Sequence, residues 1–112
     1  ADETGTGAGN GYTVNYPLPP NTDFAAWCAA LQKALSHVAD YAPDQLIISL
    51  GVDTFETDPI SFFKLKSEDF ATYGADIASL NLPTLFVMEG GYDIAEIGVN
   101  TVNVLQGFEG AA

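Results

Sequence analysis

The chain has 112 residues, enough for one small domain that hides about two-thirds of its unfolded surface. Its 47% apolar content is that of a globular chain, and no apolar run approaches the ~20 residues of a membrane span. Fifteen acidic residues stand against three lysines and no arginine, a formal charge of −12; this excludes a nucleic-acid binder, disfavours an anionic membrane surface and favours a cationic ligand.

Cysteine and histidine usage narrows the classes further. The single cysteine, Cys28, excludes an internal disulfide framework and any cysteine-rich zinc module. The single histidine, His37, cannot build a multi-histidine metal site alone. A cytoplasmic setting is the default expectation for such a chain.

The opening "ADETGTGAGNG" reads as a glycine-rich loop, with neither the basic start nor the apolar core of a signal peptide. It matches neither the dinucleotide fingerprint nor the phosphate loop, so a nucleotide-binding half-domain is a weak reading. "GYTVNYPLPP" alternates and then breaks on Pro17, Pro19 and Pro20, which predicts a short strand at residues 12–16. In "NTDFAAWCAALQKALSHVADYAP", Phe24, Trp27, Cys28, Leu31, Leu35 and Val38 fall on one helical stripe. Asn21, Thr22 or Asp23 can cap this helix, and Pro43 closes it. Cys28 is then a core thiol, and His37 lies beside the stripe, exposed or half-buried.

Two continuous apolar runs follow, "QLIISLG" and "TLFVMEGG". Runs apolar on both faces predict parallel strands covered by helices on both sides. Between them, "SEDFATYGADIASLN" predicts a helix with Ser67 as N-cap, Glu68 and Asp69 at its positive end, and a buried stripe of Phe70, Tyr73, Ile77 and Leu80. The last segment, "DIAEIGVNTVNVLQGF", offers Asp93 and Glu96 as a capping box and Gly107 as a stop, which favours a helix although Val99, Thr101, Val102 and Val104 are β-branched. The expected fold class is therefore α/β, a layered parallel sheet flanked by helices with three βα units.

In open α/β sheets, ligands bind at the carboxyl ends of the strands. Two segments leave such ends, "GVDTFETDP" and "EGGYDIAE", so parallel neighbouring strands would bring Asp53 and Tyr92 to one edge. Asp53 can hydrogen-bond loop amides there, or act as a metal ligand or general base. Asp58, before Pro59, reads as a turn-builder, and Glu56 as solvated. Gly90 and Gly91 either allow a close backbone approach or take positive φ. Tyr92 is either a packed tyrosine with a hydrogen-bonded tip or a donor to a carbonyl oxygen gaining charge.

"PDQLIISLGVDTFETDPISFFKL", "LPTLFVMEGGYDIAEIGVNTVNVLQGF" and "GNGYTVNYPLPPNT" together resemble the C-terminal third of the histone deacetylase superfamily, on the side of the bacterial acetylpolyamine amidohydrolases. The resemblance implies an arginase–deacetylase type of fold and zinc-dependent hydrolysis of an acetyl amide. It implies that Asp53 is one zinc-ligating aspartate and that Tyr92 polarises the amide carbonyl. Gly90 and Gly91 would form the turn that sets Tyr92 against the acyl group, and Asp58, Pro59 and Ile60 follow the family pattern without a catalytic role. The family's His-His pair and Asp-x-His motif have no counterpart here.

The expectation is thus the C-terminal portion of a deacetylase domain, residues 1–112, inactive and zinc-free alone. In the intact enzyme, zinc and a cationic acetylated amine are the implied cofactor and substrate, with acetyl-lysine as the alternative substrate. A second expectation is a non-catalytic α/β module that associates, as a homo-oligomer or with a complementary fragment, through an uncovered sheet edge or apolar surface.

Overall fold

A computed structural model describes residues 1–111. After a short 3-10 turn at Gly7–Gly9, the elements are α1 (Phe24–Tyr41), β1 (Leu46–Leu50), α2 (Ser67–Ala78), β2 (Thr84–Met88) and α3 (Ile97–Ala111). β1 and β2 pair in parallel, from Leu46 opposite Thr84 to Leu50 opposite Met88, with α2 as the crossover. That is the βαβ unit expected from two apolar runs separated by a helical stripe.

Local chemistry explains the helix ends. At the start of α1 the Asp23 carboxylate accepts from the Ala26 N–H at 3.0 Å. At its end Ala42 adopts a left-handed conformation, and Pro43 prevents continuation. α2 begins one residue earlier in its capping than expected. Lys66 is the N-cap residue, Ser67 is already helical, and Asp69 reaches back to the Lys66 N–H at 2.7 Å.

The core lies where the helices meet one face of the sheet. Leu65, Phe70, Val52 and Val104 are fully buried, joined by Leu50, Phe55, Tyr73 and Ile77. Trp27 and Leu31 of α1, Leu46, Ile48 and Phe86 of the strands, and Ile97 and Phe108 of α3 pack around them. α2 and α3 touch backbone to backbone. A Cβ on Gly74 would stand 2.2 Å from the Val104 carbonyl oxygen, and one on Gly107 would stand 2.0 Å from that of Ala71.

Three further expectations are corrected. Residues 12–16 form no strand, so the described residues hold two strands in place of the predicted three. Alternation there is real, but a strand needs a partner ladder. This segment instead lies along α1, with Tyr12 edge-on to Tyr41 and the Tyr16 hydroxyl bonded to His37 Nδ1. Second, Gly107 does not stop α3, which runs on to Ala111. Its missing side chain serves the crossing with α2. Third, among the described residues the helices pack on one face of the sheet. Leu46, Ile48, Phe86 and Leu50 face the core, whereas Ile47 and Leu85, paired across the strands, are 68% and 59% exposed. The apolar runs have the composition of two-sided strands, but all three helices contribute to a single cluster.

Candidate active site at the strand ends

Because β1 and β2 are parallel, Leu50 and Met88 end on the same edge. Two backbone bonds carry the pairing further. Glu89 N–H donates to the Leu50 carbonyl at 2.8 Å, and Val52 N–H to the Gly90 carbonyl at 2.7 Å. The loops after the two strands therefore leave the sheet side by side, Asp53 on one and Tyr92 on the other.

Gly90 is the point on which both side chains converge. A Cβ built there would lie 2.6 Å from Asp53 Oδ2 and 3.5 Å from Tyr92 Cε2. Asp53 Oδ1 lies 3.0 Å from the corresponding position of Gly51. The carboxylate thus nests against two glycines, and any larger residue at 90 would displace it. Gly91 is equally crowded, its Cβ position 2.7 Å from Val52 Cγ2 and 2.9 Å from Ile97 Cγ2. Both roles open to these glycines are used: close approach at Gly90 and Gly91, and a positive φ of 157° at Gly91.

Asp53 is half-buried and borders an open cleft of about 340 Å³ with Leu18, Ile60 and Phe62 among its walls. The Tyr92 ring is 49% exposed at the rim of the same strand edge. Beneath them Tyr73 is buried on α2, and burial pushes its phenol well above the usual range, with the Asp53 charge adding to the shift. A larger groove, about 640 Å³, lies elsewhere between residues 11–16 and α1, lined by Tyr12, Tyr16, His37 and Tyr41. It contains no carboxylate, so size alone does not locate the chemistry. His37 is exposed in that groove and does not join Asp53.

Asp58 does more than the turn read from its sequence. Its Oδ1 accepts from the N–H groups of Ile60 at 2.8 Å and Ser61 at 3.2 Å, which is the expected turn. Its Oδ2 also accepts from the Tyr92 N–H at 2.8 Å, across 34 residues of chain. Asp58 is only 7% exposed. Burial disfavours its charge, but the backbone N–H groups of Ile60, Tyr92, Ser61 and Asp93 outweigh that and hold the carboxyl below its ordinary value. Beside it, Thr57 Oγ1 donates to Asp93 Oδ2, so the Asp93 carboxylate is engaged across the loops rather than in the expected capping box. Sequence reasoning missed these cross-loop bonds. The Asp-Pro pair signals a turn, and nothing local signals the distant amide.

Among the described residues no three His, Cys, Asp or Glu side chains gather in a group able to hold a metal ion. Zinc sites ordinarily use three or four protein ligands. Asp53 offers a single carboxylate, set against Gly51 and Gly90; the described residues do not make a full site.

With this geometry in place, comparison with known proteins decides the family. The profile of the histone deacetylase domain matches residues 1–108. The chain belongs to the histone deacetylase family. It is 59% identical over 110 residues to acetylpolyamine amidohydrolase 2 of Pseudomonas aeruginosa, and 52% identical to the acetylpolyamine amidohydrolase of Mycoplana ramosa. Each match covers 98% of this chain and 32% of the relative. The crystal structure of the acetylpolyamine aminohydrolase from Burkholderia pseudomallei superposes with a TM-score of 0.94 at 38% identity, over 98% of this chain and 32% of that one. The chain thus spans about a third of the length of these family members, and its parallel α/β architecture is theirs. No helix among the described residues is long and apolar enough to cross a membrane.

Proposed function

We propose that the chain supplies the carbonyl-binding edge of a zinc-dependent deacetylase active site, for N-acetyl amides of cationic amines such as acetylpolyamines. The observation that carries this reading is the convergence of Asp53 and Tyr92 on Gly90. A half-exposed phenol close to the Asp53 carboxylate can donate to the carbonyl oxygen of an amide as that oxygen gains negative charge. Asp53 would contribute one carboxylate ligand, the others coming from residues outside this chain. Zinc, when bound, polarises the carbonyl and lowers the pKa of a bound water. Gly90 and Gly91 keep the Asp53 and Tyr92 side chains close, and Gly91 packs the turn against Val52 and Ile97.

Charge supports the substrate class. A formal −12 draws in a cationic amine more strongly than a neutral amide. The names of the relatives from Pseudomonas and Mycoplana point the same way. An acetyl-lysine side chain presents the same amide and is the alternative substrate. The single cysteine, Cys28, is free, which suits a reducing compartment such as the cytoplasm.

The test is a chimera in which this chain replaces the matching segment of the Pseudomonas relative. Turnover of acetylputrescine is expected, together with its loss in Tyr92→Phe. The isolated chain with added zinc should be inactive, since one carboxylate does not hold the metal. Tyr92-dependent turnover by the isolated chain would overturn the reading of an incomplete site, and a chimera indifferent to Tyr92→Phe would overturn the role of Tyr92.

A second reading rests on the uncovered sheet face. Ile47, Leu85 and Val87 are exposed side by side, and among the described residues β1 is paired on one edge only. We infer that this face seats the complementary part of a deacetylase domain, because the relatives are about three times as long and superpose closely over this third. Mixing the chain with the remaining segment of the Pseudomonas relative should give a 1:1 complex in sedimentation. A homo-oligomer unaffected by that segment would instead assign the face to a second copy, and a monomer in both cases would exclude either.

A further inference from the structure

We propose that Asp58 is a positioning residue for Tyr92, a strut that fixes where the tyrosine leaves the strand edge. The inference rests on reading Tyr92 as the carbonyl donor and adds a residue to which that reading gave no role.

Tyr92 needs such a strut. It follows Gly90 and Gly91, two residues with the widest backbone freedom. Its ring is half exposed, so packing holds it weakly. The strand pairing that reaches into the loops ends at the Val52–Gly90 bond, two residues short of Tyr92. Gly91 packs against Val52 and Ile97, and the next hydrogen bond is that of the Tyr92 N–H itself, to Asp58 Oδ2 at 2.8 Å.

Asp58 is well built for the task. It is buried, and its other oxygen is held by the Ile60 and Ser61 N–H groups. Pro59 follows it and restricts its backbone to the extended region. One carboxylate therefore joins the loop after β1, which carries Asp53, to the loop after β2, which carries Tyr92. The Thr57–Asp93 bond lies alongside and keeps the two loops in step. A charged acceptor makes stronger bonds to N–H groups than a neutral one, and the buried N–H groups would lack partners if it were removed.

The experiment uses the chimera carrying this chain, with Asp58→Ala, Asp58→Asn, Tyr92→Phe and the double variant Asp58→Ala/Tyr92→Phe. Asp58→Ala should lower kcat about 100-fold, the scale of a misplaced catalytic group, with KM changed less than about twofold. Asp58→Asn, which keeps an acceptor oxygen, should recover part of that loss. The double variant should be no slower than Tyr92→Phe alone. Hydrogen–deuterium exchange of the peptide spanning Gly90 to Asp93 should quicken in Asp58→Ala without a change in the strands. Multiplicative losses in the double variant, or unchanged exchange at this peptide, overturn the strut. If Asp58→Ala does not fold, Asp58→Asn decides by the same exchange readout. If Tyr92→Phe itself leaves turnover intact, the reading of Tyr92 fails; if only Asp58→Ala does so, the strut alone fails.

Discussion

Asp53 Oδ2 sits 2.6 Å from the point where a side chain at Gly90 would begin. The carboxylate on one strand end is in this way fitted to the absence of a side chain on the other. Gly90→Ala must push Asp53 or the Tyr92 ring aside. In the chimera the expected loss of turnover is about 100-fold, with the fold retained. Gly98→Ala is the control, since a Cβ there meets nothing within 4 Å. Equal activity in the two variants would show that the Asp53–Gly90 contact is irrelevant to the chemistry.

The crossing of α2 and α3 is built on a similar contact. A Cβ on Gly74 would stand 2.2 Å from the Val104 carbonyl oxygen, and backbone cannot give way as a flexible side chain does. Gly74→Ala should therefore destabilise the chain by about 1–3 kcal/mol, against the gain that alanine normally brings to a helix. Urea unfolding followed by circular dichroism measures it. A stabilised Gly74→Ala chain would mean that the helices separate at little cost.

These contacts mark the limit of what was legible in the sequence. The stripe from Phe24 to Val38, its cap at Asp23 and its stop at Pro43 are local features, and α1 follows them closely. The two apolar runs became β1 and β2, and their parallel pairing put Asp53 and Tyr92 on one edge as topology required. Residues 12–16 alternate like a strand, yet pairing is a property of two segments, and Tyr12 and Tyr16 meet α1 instead. Gly107 looks like a stop until Ala71, on another helix, explains why it stays helical. Asp58 shows its turn locally, while the Tyr92 amide that it also holds is 34 residues away.

Tyr73 makes the chain sensitive to alkali. Burial raises its pKa above the ordinary 10.0, and the charge of Asp53 adds to the rise. Below pH 10 the phenol is neutral in both folded and unfolded chains and the stability is fully present. Above it the unfolded chain ionises while folded Tyr73 stays protonated, so stability falls by up to about 1.4 kcal/mol per pH unit. Urea midpoints between pH 9 and 11 should fall for the native sequence and fall less for Tyr73→Phe. Parallel curves would place the alkaline loss on other groups.

Asp58 acts at the acid end with the opposite sign. Burial raises its pKa, but the four backbone N–H groups lower it further, for a net value below the ordinary 3.8. Above that pH the folded and unfolded chains both carry the charge, and the folded one alone has the amide bonds. Below it the unfolded chain takes up its proton first, so the contribution fades as pH falls through the folded value. Asp58→Asn should cost about 1–3 kcal/mol at pH 7 through weakened bonds to buried N–H groups. The gap between native and variant should close as pH falls below the ordinary carboxyl value of 3.8 and through the lower folded one. A gap that stays constant across this range would show that the asparagine disturbs packing rather than a charged tether.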